Sequence, residues 1–297
     1  MKTPPYLNKE DKITILAPAG KIGKAVVENA IQVLTGWELE VKIGKYLFDN
    51  HFQYAAEDEK RLEDLQQALN DETVKAILFA RGGYGTIRII DQLDFTEFIK
   101  KPKWLIGFSD ITVLHSHLHQ NFGIETIHGS MASGLADSFS SEWLYKCLFG
   151  RPLNYELETH KLSRKGSTEG ILTGGNLAML CSLLGSKSDI DTNNKILFIE
   201  EVGEYLYRLD RMMWTLKRAG KLENLAGLIV GGLTDIKDNE SPFGQSAEEI
   251  IVEAVSGYDF PVCFGFPAGH QKKNATLILG RNVILSINNK TKINFEL

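Results

Sequence analysis

Four short stretches place chemically capable side chains directly after apolar runs: Arg81-Gly82-Gly83-Tyr84-Gly85, Gly107-Phe108-Ser109-Asp110, Glu200-Glu201 and Pro267-Ala268-Gly269-His270. In open parallel sheets ligands bind beyond the carboxyl ends of the strands, so these are the places where a reaction would be carried out. Ser109 follows the run Trp-Leu-Ile-Gly-Phe and precedes a helical stretch. A sharp strand-to-helix turn there would lift its hydroxyl above the sheet, with the Asp110 amide beside it. The G-x-S-x-G pattern of a nucleophile elbow fails at its last glycine, because position 111 is Ile. The competing role for Ser109 or Asp110 is to cap the following helix.

A serine hydroxyl is a weak nucleophile until a base takes its proton, and the base needs a third group to hold its ring in orientation. Of the seven histidines, His270 is the one in a small-residue turn directly after an apolar strand, which makes it the candidate base. An acid following the run Lys195 to Ile199 would orient it: Glu200 if it sits at the strand end, with Glu201 the adjacent alternative. Consecutive side chains on a strand point to opposite faces, so only one of the two can serve. Acyl transfer also needs N–H donors where oxyanion charge develops. Gly82 and Gly83 permit a backbone that turns its amides into a cleft, and together with the Asp110 amide they are the candidate oxyanion hole.

Other chemistries fit the spacing poorly. Gly20-Lys21-Ile22-Gly23-Lys24 lacks the Walker spacing, and Gly83-x-Gly85 has Arg88 where a dinucleotide loop needs a third glycine. His115 and His119 would share one face of a helix while His117 points elsewhere, and no carboxylate pattern completes a metal site. No cofactor and no metal are expected.

These side chains need a scaffold, and the patterning supplies one. Ile13 to Ala17 reads as a strand, Lys24 to Leu34 as a helix, Glu38 to Ile43 as a second strand and Glu57 to Leu69 as a second helix. Val74 to Ala80 and Trp104 to Gly107 are buried strands, each followed by a helical pattern. Strands alternating with helices imply a parallel sheet. Between Gly150 and Gly170 the chain is polar and lacks a sustained apolar period, which places a domain boundary there. The second half restarts with a helix opened by Gly174-Gly175-Asn176, a strand Lys195 to Ile199 and a helix Tyr205 to Ala219. Leu225 to Gly231 and Val262 to Phe266 follow as strands, and Thr276 to Leu279 with Val283 to Ile287 as a closing hairpin around Gly280-Arg281-Asn282.

Length and composition agree. At 297 residues, about two domains of roughly 150 residues are expected. Apolar residues make up 43%, which excludes disorder and collagen-like order. The 33 Lys and Arg against 38 Asp and Glu give a net charge of -5 in mixed sign, so nucleic acid is not an expected partner. Three scattered cysteines without a C-x-x-C pair argue against a disulfide framework or a zinc site and fit a reducing compartment. The opening residues lack an apolar h-region, and no apolar run is long enough to span a bilayer. The expectation is a cytoplasmic protein without membrane contact.

Taken together and in order, RGGYG, GFSD, IEEVGEYLYRLDRM and PAGH resemble the LD-carboxypeptidases of serine peptidase family S66. APAG near the start, the stretch from Asp58 into VKAILFARGGYG, IHGSM at His128 and GGNLAML at Gly174 to Leu180 extend the resemblance over most of the chain. Two positions depart from it: Ser130 stands where proline is common, and Glu201 where aspartate is frequent. The resemblance implies an α/β protein with an N-terminal Rossmann-like or flavodoxin-like domain over 1–155 carrying the nucleophile. A C-terminal β/α domain over 156–297 would carry Glu and His, with the active site at the interface.

It also implies a triad of Ser109, Glu200 and His270, with an oxyanion hole from the backbone of Gly82, Gly83 and Asp110. The reaction implied is removal of the terminal D-alanine from murein tetrapeptides in peptidoglycan recycling, carried out by a homodimer. An exopeptidase must hold its substrate's free carboxylate. Arg81 and Arg208 are candidates by position, with pairing to local carboxylates as the competing role, and Tyr84 and Asn176 complete the candidate substrate contacts. Two alternatives remain open. One is a microcin-immunity type of hydrolase cleaving a peptidyl or aminoacyl nucleotide amide; the other is a non-catalytic α/β ligand-binding protein.

Overall fold

The first half folds as its alternating pattern predicts. A computed structural model describes residues 1–296. In it, β1 (Lys12–Leu16), α1 (Lys24–Gly36), β2 (Glu40–Ile43), α2 (Asp58–Asn70) and β3 (Val74–Phe79) follow one another along the chain. They are continued by α3 (Thr86–Ile89), α4 (Thr96–Lys100), β4 (Trp104–Gly107), α5 (Thr112–Phe122), β5 (Thr126–His128) and α6 (Ser138–Leu148). All of β3 except Lys75 is buried, as is every residue of β4. Near-continuous apolar runs are what a parallel sheet covered on both faces requires. The parallel strands lie in the order β2-β1-β3-β4-β5, a flavodoxin-like arrangement.

The second half contains β6 (Asn154–Glu158), β7 (Gly166–Asn176), α7 (Leu177–Leu183), β8 (Ile196–Val202), α8 (Leu206–Arg218), β9 (Gly227–Thr234) and α9 (Ala247–Ala254). Four short strands follow: β10 (Val262–Cys263), β11 (Leu277–Leu279), β12 (Asn282–Ile287) and β13 (Lys290–Phe295). The second sheet has the order β10-β9-β8-β7-β12-β13-β6. Long strand β7 joins its two halves, pairing antiparallel with β12 through Gly166 to Ile171 and parallel with β8 through Leu172 to Asn176.

Two stretches hold strands that the sequence pattern did not show or paired differently. The polar stretch Gly150 to Gly170, where the domain boundary was expected, contains β6 and the start of β7. Both are half-exposed antiparallel strands, so their residues alternate or stay polar and give no continuous apolar run. The predicted closing hairpin does not form. β11 pairs antiparallel with β5 in the first sheet, while β12 pairs with β7 and β13 in the second. Apolar Leu277, Ile278 and Leu279 are buried against the outer strand of the first sheet, so burial overrides the short intervening turn in choosing their partner. The crossing is pinned by Arg281, whose Nη2 and Nε bond both oxygens of buried Glu125 at 2.6 and 3.2 Å.

Helix α5 lies against both sheets and is buried from Thr112 to His119. Its three histidines are packed individually: His115 Nε2 contacts the Gly107 carbonyl at 2.9 Å, His117 Nδ1 the Ser188 hydroxyl at 2.9 Å and His119 Nε2 the Thr126 hydroxyl at 3.1 Å. Thr112 Oγ1 accepts the Asn176 N–H at 3.0 Å, joining the start of α5 to the end of β7.

Candidate active site

Strand β4 delivers Ser109, and the turn that follows is under strain. Ser109 has φ +65°, a left-handed conformation that costs free energy for a residue with a Cβ. It opens a single 3-10 turn, Ser109–Ile111, that leads into α5. Ile111, in place of the elbow's usual glycine, is accommodated by Gly107, where a Cβ would stand 2.9 Å from Ile111 Cγ1. Room for Ser109 itself comes from the neighbouring strand end. A Cβ on Gly82 would lie 2.8 Å from Ser109 Cβ and 2.9 Å from Oγ.

The amides of Gly82, Gly83 and Asp110 donate to no protein acceptor among the described residues. The Asp110 side chain ties the two turns together, since its Oδ2 accepts the Thr86 N–H at 2.8 Å from the first residue of α3. Burial raises the Asp110 carboxyl above its ordinary value, against hydrogen bonding from Thr86 and Gly85. The Gly82 turn lies against the Ser109 turn, where a Cβ on Gly82 would also stand 3.4 Å from the Asp110 backbone nitrogen.

The second half brings up the other two groups. β8 ends in adjacent acids that separate as strand alternation demands. Glu200 is fully buried and faces the His270 loop: its Oε2 accepts the ring Nδ1–H at 2.7 Å and the His270 backbone N–H at 3.2 Å. Glu201 faces the other way and accepts Asn176 Nδ2 at 3.1 Å, Ala178 N at 2.8 Å and Val202 N at 2.9 Å. With Nδ1 committed to Glu200, Nε2 is the acceptor and lies 3.0 Å from Ser109 Oγ. The loop holding His270 is fixed by the Gly269 N–H, which donates to Asn274 Oδ1 at 2.9 Å, and by the Gly232 N–H, which donates to the Ala268 carbonyl at 2.9 Å.

Burial pulls the His270 pKa down, but the hydrogen bond and charge of Glu200, helped by the charge of Glu201, together outweigh it and leave the ring above its ordinary value. Burial likewise raises the Glu201 carboxyl, against its three hydrogen bonds and with the charge of Glu200. Phe108 and Phe198, each close in sequence to one of the reacting groups, flank the ring of buried His128, and Phe108 meets His270 edge-on at 4.8 Å.

The candidate substrate contacts are more dispersed. Arg81 Nη1 donates to the Lys21 carbonyl at 3.2 Å, and Tyr84 is 46% exposed beside Tyr54. Asn176 is buried and caps α7, its Oδ1 accepting the Met179 N–H at 3.2 Å. Arg208 is engaged at the start of its helix, with Glu204 just before the helix at 3.5 Å and Tyr207 at 3.1 Å. Neither guanidinium bonds to Ser109, Glu200 or His270. Sequence reasoning missed the Asp110 carboxylate as a link between turns and Thr112 as the anchor of Asn176. Their only signal was their place beside the motifs Gly-Phe-Ser and Gly-Gly-Asn. Among the described residues, no group of three or more His, Cys, Asp or Glu is arranged to hold a metal ion, and no helix is long and apolar enough to cross a membrane.

Hydroxyl, imidazole and buried carboxylate in series, mounted on a strand-to-helix turn, are the equipment of a serine hydrolase working by acyl transfer. Comparison with known proteins narrows the class. The model of the LD-carboxypeptidase N-terminal domain matches residues 13–129, and that of the C-terminal domain matches residues 169–285. The chain belongs to the LD-carboxypeptidase family, peptidase family S66. It is 37% identical over 297 residues to a probable murein peptide carboxypeptidase of Bacillus subtilis, covering 98% of this chain and 93% of that one. Its fold matches the crystal structure of muramoyltetrapeptide carboxypeptidase from Oxalobacter formigenes with a TM-score of 0.88 and 29% identity, over 96% of this chain and 99% of the other. Microcin C7 self-immunity protein in complex with aspartyl sulfamoyl adenosine has a similar fold, with a TM-score of 0.89 at 20% identity over 99% and 98% of the two chains.

Proposed function

We propose that this protein is a serine-type LD-carboxypeptidase that removes the terminal D-alanine of murein tetrapeptides, with Ser109 as nucleophile, His270 as base and Glu200 as the acid that orients it. The carrying observation is the continuous chain from Ser109 Oγ through both His270 nitrogens to Glu200, at 3.0 and 2.7 Å, drawn from two different sheets. His270 Nε2 takes the Ser109 proton as Oγ attacks the carbonyl of the third residue's L-centre. The carbonyl π pair moves onto oxygen, where the Gly82, Gly83 and Asp110 amides receive it. Collapse of the tetrahedral centre breaks the C–N bond, and His270 gives its proton to the departing D-alanine amine. A water, deprotonated by the same ring, then attacks the ester and releases the tripeptide and free Ser109.

The names of the relatives in Bacillus subtilis and Oxalobacter formigenes support the substrate class. The same reading keeps the cytoplasmic setting, the homodimer and the place in peptidoglycan recycling that the resemblance implies. Its test is release of D-alanine from a murein tetrapeptide, followed by the mass loss of one alanine. Wild-type protein should release it, and Ser109→Ala and His270→Ala should not while remaining folded by circular dichroism. Turnover near wild type in either variant defeats the assignment.

A further inference from the structure

The loop from Pro267 to Ala275 does more than present His270. It leaves the second sheet after β10 and ends just before β11 joins the first. Its course therefore sets how far the imidazole of one half stands from the hydroxyl of the other. The ends of the loop meet, the Ala275 N–H donating to the Pro267 carbonyl at 2.6 Å.

Asn274 reaches from this loop to helix α6 of the first half. Its backbone N–H donates to Ser140 Oγ at 3.0 Å, and Ser140 Oγ–H donates to Asp137 Oδ1 at 2.8 Å. Asp137 is the N-cap of α6 and also accepts the Ser140 N–H at 2.9 Å, so the hydroxyl is oriented by its own helix. Ser140 and Asn274 are both buried. Lys273, the preceding loop residue, seats its ammonium 5.6 Å over the ring of Phe139, so the same two stretches meet twice. From Asn274 the series runs inward. Its Oδ1 accepts the Gly269 N–H at 2.9 Å, and Gly269 is pressed on Glu200, where a Cβ would stand 2.6 Å from Oε2. The next residue is His270, whose backbone N–H and ring Nδ1 both meet that same oxygen.

We propose that Ser140 and Asn274 are positioning residues. The series from Asp137 through both to Gly269 clamps the His270 loop to the half that carries Ser109 and keeps the Ser109–His270 gap at its working length. This rests on the reading of Ser109, His270 and Glu200 as the triad. Glu200 cannot hold the gap, because it and His270 belong to the second half while Ser109 belongs to the first. Thr112 ties the two halves on the serine side through the Asn176 N–H, and the clamp does so on the histidine side. A buried N–H without an acceptor is unfavourable, so removing Ser140 Oγ lets the loop shift until the Asn274 N–H finds water. A small shift is readable, since about 1 Å at the reacting pair costs roughly 100-fold in rate.

The experiment uses Ser140→Ala, Asn274→Ala and the double variant. Ser141→Ala is the control, because its hydroxyl bonds back to the Ser138 carbonyl at 3.2 Å and stands outside the series. Ser140→Ala and Asn274→Ala should each lower kcat for D-alanine release about 10-fold, with KM within about two-fold and the fold intact by circular dichroism. Links in series fail together, so the double variant should also lose about 10-fold rather than about 100-fold. Ser141→Ala should keep the wild-type kcat. Wild-type kcat in Ser140→Ala, a double variant at the product of the single effects, or an equal loss in Ser141→Ala overturns the proposal. If Asn274→Ala does not fold, Ser140→Ala and an NMR readout that needs no turnover decide. In protein with labelled histidine rings, the His270 Nε2 resonance is identified by its loss in His270→Ala. In Ser140→Ala it should move toward its position in Ser109→Ala as the bond to Oγ loosens. That movement supports the clamp even if wild type releases no D-alanine, the result that would defeat the peptidase reading alone. An unmoved resonance overturns the clamp.

Discussion

Replacing Gly82 by alanine adds one methyl group where the neighbouring turn leaves none of the space it needs. The backbone of Gly82 lies outside the left-handed region, so alanine brings no conformational penalty of its own and the effect is steric. The new Cβ would stand 2.8 Å from Ser109 Cβ and 2.9 Å from Oγ. Carbon atoms prefer about 3.5–4.0 Å, so one of the two turns must retreat by roughly 0.7–1 Å. Either retreat opens the 3.0 Å contact between Ser109 Oγ and His270 Nε2 and shifts an amide of the oxyanion hole. A misplacement near 1 Å costs about 100-fold in rate. Overpacking of this kind destabilises by about 1–3 kcal/mol.

Steady-state release of D-alanine and differential scanning calorimetry would read both effects. Gly82→Ala should lower kcat about 100-fold with KM little changed and lower Tm by several degrees. Gly23→Ala, where a Cβ meets nothing within 4 Å, serves as the neutral control. A Gly82→Ala enzyme with kcat within about three-fold of wild type would refute the argument that this gap seats the nucleophile.

Three further outcomes follow from the site. Because His270 must be neutral to accept a proton and its pKa is raised, kcat/KM should fall as pH drops through a value above the ordinary 6.5. In Glu200→Gln, which removes the chief raising influence, that acid limb should move to lower pH and kcat should drop about 10⁴-fold; an unmoved limb contradicts the pairing. Glu201→Ala strands three donors and should cost about 3 kcal/mol or more in chemical denaturation while the folded enzyme keeps kcat within about ten-fold, the reverse of Glu200→Ala. Ser109→Gly should raise the unfolding free energy by about 1 kcal/mol by relieving the left-handed backbone at φ +65°, while abolishing turnover.

The order of the elements was legible in the chain wherever burial was symmetric. β3, β4 and β8 are apolar runs because both faces of a parallel strand are covered, and α8 shows its buried Leu209, Met213 and Leu216 at helical spacing. β6 and the start of β7 escaped because edge and antiparallel strands expose half their residues and so show no sustained apolar period. The same limits applied to the site. Ser109, His270 and the pair Glu200-Glu201 could be picked out as polar residues at strand ends, since that position is local.

What the chain by itself determined, then, is which residues stand at the carboxyl ends of buried strands and which glycines leave them room, because both depend on neighbours in sequence. Tertiary structure alone decided that Glu200 rather than Glu201 meets His270, that β11 leaves its neighbour to complete the first sheet, and that Asp110 ties one turn to another. Each of these depends on which distant surface a side chain or strand buries against, a choice made by packing between residues as far as 161 positions apart, such as Ser109 and His270.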